Sequence, residues 1–310
     1  MKKISVLIPF LNESENIENL CSSLNNFCSN QKKISAEVIF IDDGSTDNSV
    51  ELLKKQNHNS YQSKIIKFSK NYGSHAALRA GILNSTGDLV TFMYADLQDP
   101  MELITNLFSK CGEGYDIVWA TRTSSEISFS EKIFSKTYAR LMQKYAVKNF
   151  PESGFDIVMF SDKVRKELNN NIEANSSIFL QILCLGFKQA TISYDKKERK
   201  AGESKWTISK KIKLFVDSFV AFSYFPIRLV TYAGIGFSVI GFLWTMYILF
   251  RAIFVGNLIQ GWATLTAILM LGFGITNISL GIIAEYLWRT LDAARKRPVF
   301  IIDEIIEINK

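Results

Sequence analysis

Asp96, Gln98 and Asp99 crowd into a single short stretch, Y-A-D-L-Q-D-P at 94–100. All three are oxygen donors of the kind that hold a hard divalent cation, and such a cation usually accompanies a phosphate-bearing substrate. A plainer use exists for part of it, because Asp99 and Pro100 are good residues for starting a helix. A second acidic group, I-D-D-G-S-T-D at 41–47, sets Asp42 and Asp43 side by side. Ser45 or Thr46 can cap a following helix and Gly44 permits a tight turn. That leaves the paired carboxylates unexplained, and carboxylates so placed accept hydrogen bonds from ribose hydroxyls or a base N–H. A third acid, Glu13, closes P-F-L-N-E at 9–13. Neither G-x-G-x-x-G nor G-x-x-x-x-G-K-[ST] occurs, which argues against a dinucleotide or P-loop site.

These acids need strand ends to carry them. Apolar runs at 3–9, 36–41, 64–68, 89–93 and 115–120 read as strands, and helical patterns at about 15–28, 46–55, 74–83 and 100–110 alternate with them. The alternation predicts a mostly parallel α/β sheet with helices on both faces. In such a sheet the carboxyl ends of the strands form the ligand-binding edge. Beyond it, 124–150 turns amphipathic, with Phe134, Tyr138, Leu141 and Tyr145 at spacings of three and four. A short segment at 154–160, helix through 185 and a strand near 189–194 follow. Serine-rich 124–130 reads as an exposed loop.

Across 310 residues the apolar share is 47% and the net charge is +6, with basic residues crowded into the second half. That charge points to phosphates or an anionic membrane face ahead of nucleic acid. Cys21, Cys28, Cys111 and Cys184 show no C-x-x-C spacing and read as reduced thiols of a cytosolic compartment. The first apolar run is too short for a signal peptide and begins a strand instead. Two later runs, 229–254 and 262–287, each exceed the roughly 20 residues needed to cross a bilayer core. Their single charges, Arg251 and Glu285, stand near the ends, where side chains snorkel. Lys210, Lys211, Lys213 and Arg228 precede the pair, and Arg289, Arg295, Lys296 and Arg297 follow it. The positive-inside rule then predicts a hairpin with both termini cytosolic, and Trp262 and Trp288 fit interfacial belts. Ahead of it Ile208, Ile212, Phe215, Phe219 and Phe222 share one helical face, opposite most of the lysines, as in a helix lying in the headgroup plane.

The motifs V-L-I-P-F-L-N-E, I-D-D-G-S-T-D, F-S-K-N-Y-G-S-H-A-A-L-R-A-G, A-D-L-Q-D-P, G-F-D and R-K-A-G-E-S-K-W occur in this order ahead of two apolar spans. In this the chain resembles a family 2 glycosyltransferase of the polyprenyl-phosphate class, which includes bactoprenol-phosphate glucosyltransferases and dolichyl-phosphate mannosyltransferases. The resemblance covers essentially the whole chain. It implies a GT-A (Rossmann-like) catalytic domain over 1–205, an amphipathic juxtamembrane helix over 206–226, two transmembrane helices within 227–288 and a cytoplasmic C-terminal tail over 289–310. It also implies an inverting transfer of one sugar from a nucleotide diphosphate sugar to undecaprenyl or another polyprenyl phosphate. The place would be the cytoplasmic face of the inner membrane, in the service of a cell-surface glycan such as lipopolysaccharide O-antigen. UDP-glucose is the expected donor, GDP-mannose the alternative; a homo-oligomer is expected and a nucleic-acid partner is not.

By motif position the resemblance implies that Pro9, Leu11, Glu13, Ile41 and Asp43 line the nucleotide pocket, with Asp42 beside them. Tyr94, Ala95, Asp96 and Gln98 belong to the donor side, Asp96 and Gln98 holding Mg²⁺ or Mn²⁺. Arg122 in A-T-R-T approaches the donor, Arg199 and Lys205 neutralise the diphosphate, and Asp156 in G-F-D matches the family's candidate catalytic acid residue. Many members carry aspartate where Tyr94 stands, so the metal here has one carboxylate fewer. The acceptor is a phosphate monoester with a second pKa of about 6 by analogy with phosphoserine. A strong base is therefore not obligatory, and Asp156 is expected to orient the acceptor or a cationic neighbour. Gly202 and Ser204 suggest that the basic run 196–213 includes a loop able to close over a diphosphate. His58 and His75 are expected to be structural or exposed rather than catalytic. Two other classes compete: a processive synthase, disfavoured by the lack of Q-x-x-R-W and the few spans, and a noncatalytic membrane adaptor, which would explain Tyr94.

Overall fold

Strand β1 (Lys2–Phe10) is buried without a break from Ile4 to Phe10, so both its faces meet apolar side chains and it belongs in the middle of a sheet. In the computed structural model it lies between β2 (Ile34–Asp42) and β4 (Leu89–Phe92), parallel to both. The structure describes residues 1–31, 33–122, 129–147, 150–151, 154, 156–171, 176–195, 220, 222–223, 225–254, 261–295 and 297–309. Among them one sheet has the order β7-β5-β6-β4-β1-β2-β3-β8, with β3 at Gln62–Phe68, β5 at Ile117–Arg122, β6 at Ile157–Ser161, β7 at Gln189–Tyr194 and β8 at Ile302–Asn309. The mostly parallel α/β sheet expected of the first 205 residues is present. Its order reverses at β1, the kind of switch point beside which open α/β sheets bind ligands.

Helices α1 (Ile17–Ser29), α2 (Ser49–Lys55), α3 (Ser74–Leu83) and α4 (Glu102–Gly112) fill the connections between the parallel strands. Each offers an apolar face: in α1, Ile17, Leu20, Cys21 and Leu24 repeat at helical spacing and are buried against the sheet. α5 (Phe129–Tyr145), α6 (Asp162–Asn170) and α7 (Ile178–Cys184) complete this part of the chain.

Two features go beyond those expectations. The segment at 154–160 supplies β6, which runs antiparallel between β4 and β5 within the mostly parallel sheet. The C-terminal residues, expected as a cytoplasmic tail over 289–310, contribute β8, antiparallel to β3. Asn309 fastens that strand: its Oδ1 accepts from Ser63 N at 2.7 Å, and its Nδ2 donates to the carbonyls of His58 and Tyr61. Phe300 stacks on Phe68 with ring centroids 5.3 Å apart. A β3 edge left open would expose unpaired backbone groups, and β8 covers it.

The chain divides into two compact units, Met1–Ser218 with Pro298–Lys310, and Phe219–Arg297. The second holds α8 (Phe225–Phe254) and α9 (Trp262–Arg295), both long and apolar enough to cross a membrane. α9 runs on past 287, where an Arg289–Glu285 ion pair at 2.9 Å joins side chains one helical turn apart. Most of the 206–226 segment, including 206–219, lies outside the described residues, as does most of the 124–130 loop.

Candidate active site

Direction in the sheet decides which residues can meet. β4, β1, β2 and β3 are parallel, β5 is antiparallel to the antiparallel β6, and β7 is parallel to β5. The carboxyl ends of β1, β2, β4, β5 and β7 therefore share one edge. Asp156, just ahead of antiparallel β6, reaches the same edge from the opposite direction.

The two nucleotide-side motifs are neighbours in register, Pro9 opposite Ile41 and Phe10 opposite Asp42, and their loops are laced together. Asn12 N donates to Ser45 Oγ and Glu13 N to Ser49 Oγ, both at 2.9 Å, while Asn12 Oδ1 accepts from Thr46 N at 2.8 Å. Asn12 takes a left-handed φ of 51°, a conformation its short polar side chain tolerates. Asp43 binds the next loop, its carboxylate accepting from Tyr72 N at 2.7 Å and Gly73 N at 3.0 Å. Burial, with Asp42 adjacent, pushes Asp43 above the usual carboxylate range in spite of those N–H groups. Gly44 makes the junction possible: at φ +79°, a Cβ there would stand 2.6 Å from the Lys70 carbonyl carbon. Asp42 is fully buried; its Oδ1 accepts from Ser45 N at 2.9 Å, and its Oδ2 has no hydrogen-bond partner among the described residues. Leu11 and Glu13 are partly buried beside this pair, and Pro9 and Ile41 are buried beneath it.

Across the switch point, Y-A-D-L-Q-D-P forms a turn directly after β4. Gln98 N donates to Asp96 Oδ1 at 3.3 Å, and Leu97 is left-handed at φ 55°. Ala95 is buried beneath the turn. Asp99, only 2% exposed, accepts a 2.6 Å hydrogen bond from the Tyr194 hydroxyl at the end of β7. Tyr94 lies among charges: burial first, then Asp99, Asp156 and Asp96, push its phenol well above the usual tyrosine range. It stays protonated at neutral pH, so it offers a neutral hydroxyl where a D-x-D motif offers a carboxylate. Next along this edge, Arg122 and Asp156 form a bidentate pair, with Arg122 Nε 2.7 and 2.8 Å from the two carboxylate oxygens and Nη2 2.5 Å from Oδ1. Burial works against the guanidinium charge, but Asp156 outweighs it and raises the Arg122 pKa.

Pro9, Leu11, Glu13, Ile41, Asp42 and Asp43 thus gather on one side of the edge, and Tyr94, Ala95, Asp96, Gln98, Arg122 and Asp156 on the other. Arg199 and Lys205 lie outside the described residues. Two contributors went unsingled in the sequence: Asn12, whose amide laces two loops, and Tyr194, the buried partner of Asp99. Asparagine after a strand was the available signal for the first; nothing local marks Tyr194. His75 is half-buried in α3, accepts from Ile178 N at 3.4 Å, and is pushed down to about 4 by desolvation and then by Arg79. His58 is buried against Phe40 and Tyr61, with burial again lowering its pKa. Both therefore stay neutral near pH 7.

As ligands for a divalent metal, Asp96 and Gln98 bring one carboxylate and one amide oxygen. No group of three or more His, Cys, Asp and Glu residues forms a ready cage among the described residues. That sparse oxygen set fits Mg²⁺ or Mn²⁺ that completes its shell with water and substrate phosphates.

Known proteins share this chain over its whole length. It is 35% identical to the uncharacterized glycosyltransferase YkcC of Bacillus subtilis, over 97% of this chain and 93% of that one. It is 31% identical to the undecaprenyl-phosphate 4-deoxy-4-formamido-L-arabinose transferase of Proteus mirabilis, over 100% and 96%, and 31% to the prophage bactoprenol glucosyl transferase homolog of Escherichia coli, over 98% and 99%. Among solved structures, the mannosyltransferase PcManGT of Pyrobaculum calidifontis, in complex with GDP-Man and Mn²⁺, aligns with a TM-score of 0.47 at 15% identity, over 94% of this chain and 88% of its own. The model of the family described as "Glycosyl transferase family 2" matches residues 5–173, the stretch that carries the acidic strand ends, the Arg122–Asp156 pair and the strands beneath them. By that match and its full-length relatives, this chain belongs to glycosyltransferase family 2.

Proposed function

We propose that this glycosyltransferase moves one sugar, glucose from UDP-glucose, onto a polyprenyl phosphate at the cytoplasmic face of a membrane, with inversion. The observation that carries this reading is the end-to-end likeness to proteins named for undecaprenyl-phosphate and bactoprenol acceptors, which extends through both apolar helices. The exposed side chains of those helices, Ile240, Phe242, Ile253 and Phe254 among them, are what a hydrocarbon core would cover.

In this reading the nucleotide lies along the edge formed by the β1 and β2 loops. Asp42 Oδ2, buried without a hydrogen-bond donor, suits a base N–H or a ribose hydroxyl, since an unpaired buried oxygen is costly. A divalent cation held by Asp96 and Gln98 would supply charge stabilisation for the departing diphosphate. Arg199 and Lys205 would share that task by their positive charge. The acceptor phosphate arrives largely ionised and needs orientation more than deprotonation. Arg122 is the cation available for that, and Asp156 fixes its plane. Arg122 engages both Asp156 oxygens, an arrangement suited to orientation.

The test is a donor panel of UDP-glucose, UDP-galactose, GDP-mannose and further nucleotide sugars, given to the full-length protein with a short-chain polyprenyl phosphate and Mg²⁺ or Mn²⁺. A lipid-linked hexose from UDP-glucose is expected. Product from GDP-mannose alone would reassign the donor, and no lipid-linked product from any donor would overturn the reading.

A further inference from the structure

The Asp99–Tyr194 contact joins parts of the chain 95 residues apart, and both partners are buried, at 2% and 7% exposure. At 2.6 Å it is at the short end of the range for O–H···O hydrogen bonds. Asp99 is next to Gln98 and closes the turn that begins at Asp96. Tyr194 is the last residue of β7, and in the parallel register of β7 with β5 it stands opposite Arg122. One hydrogen bond therefore runs from the turn with the candidate metal ligands to the strand pair whose end carries the Arg122–Asp156 pair. Sheet pairing alone does not make this link, because β6 separates β4 from β5.

We propose that Tyr194 is a positioning residue: by bonding Asp99 it fixes the Asp96–Gln98 turn and its distance from Arg122, and so sets the affinity of the site for a divalent cation with a nucleoside diphosphate. This rests on the proposed donor site. Groups that hydrogen-bond a metal's ligands typically govern its affinity by 10- to 100-fold, and Tyr194 acts one residue further out, through Asp99 beside Gln98. The hydroxyl is the working part, on a ring packed into the apolar core.

The control lies on the same strand. Trp119 Nε1 donates to Gln189 Oε1 at 2.8 Å, tying β5 to β7 at the end opposite Tyr194, away from the acidic turn. Mn²⁺ binding is read by electron paramagnetic resonance on full-length protein in detergent, with UDP and separately with GDP, alongside thermal unfolding of Tyr194→Phe and Gln189→Ala. For Tyr194→Phe we expect an Mn²⁺ affinity lowered about 10-fold with the folded state retained. For Gln189→Ala we expect a lower melting temperature and unchanged Mn²⁺ affinity. Equal affinity in Tyr194→Phe and wild type, or equal weakening in both variants, would overturn the brace while leaving the donor site standing. Wild-type protein that binds no Mn²⁺ with either nucleotide would overturn the metal-site reading and the brace with it.

Discussion

At the scale of single residues the proposed chemistry turns on Asp156. Its carboxylate is 7% exposed and bonded by both Nε and Nη2 of Arg122, a fork that lysine cannot reproduce. General-base removal typically costs 10²- to 10⁴-fold and deletes an ionisation from the pH–rate profile. An orienting carboxylate leaves the profile in place. For Asp156→Asn we expect the single-turnover rate to fall about 10- to 100-fold, within the range for misplaced reacting groups, with weaker acceptor binding and an unchanged profile. A wild-type ionisation that Asp156→Asn lacks, with acceptor affinity intact, would make Asp156 the base.

At the scale of elements, the edge opposite the active site is where the sheet is held in register. Glu37 on β2 is buried, accepting from Ser5 Oγ on β1 at 2.6 Å and from Thr86 N at 2.9 Å, with Lys64 of β3 at 3.4 Å and Lys3 at 3.7 Å. Burial raises its pKa, but Ser5, Thr86 and the two lysines together bring it below the ordinary glutamate value. A carboxylate depressed in this way adds stability that is present above the unfolded value of about 4.3 and is lost as pH falls through the lower folded one. Glu37→Gln removes the charge and leaves Lys64 half-satisfied. We expect it to cost about 1–3 kcal/mol at pH 7 and to flatten the acid limb of stability against pH below about 4.3. Donor kinetics should not change, since the network lies away from the carboxyl strand ends; a wild-type-like acid limb would refute the role given to Glu37.

For the whole molecule, connectivity carries a consequence for topology. The chain leaves the first unit at Ser218 and re-enters it at Pro298, and β8 then pairs with β3 in the same sheet as β1. Both ends of the apolar segment are thus joined covalently to strands of one folded sheet, which favours an even number of crossings. In the proposed membrane reading, the flanking lysines and arginines are expected to keep those ends on the cytosolic side. In a cysteine-free background, Asn257→Cys, in the connection between α8 and α9, should react with a membrane-impermeant maleimide in intact cells. Glu304→Cys, on exposed β8, should react only after lysis. Labelling of Glu304→Cys in intact cells would rule the hairpin out.

What the sequence determined is what local pattern can encode. Alternating strand and helix signals, the acidic motifs at strand ends and the two long apolar runs depend on side chains two to four positions apart, and the sheet, the acidic edge and α8 and α9 follow them. Only tertiary structure decided the partners. Arg122 meets Asp156, Tyr194 meets Asp99, and β6 inserts antiparallel because distant strands are brought alongside one another. β8 was hidden for the same reason: I-D-E-I-I-E-I-N is a charged C-terminal stretch with little apolar alternation of its own, suited to an edge strand, and it becomes one only because β3 leaves an edge to cover. The candidate metal ligands could be named from their motif, whereas the bond next to their turn could not, because a hydrogen bond between residues 95 positions apart leaves no spacing to read.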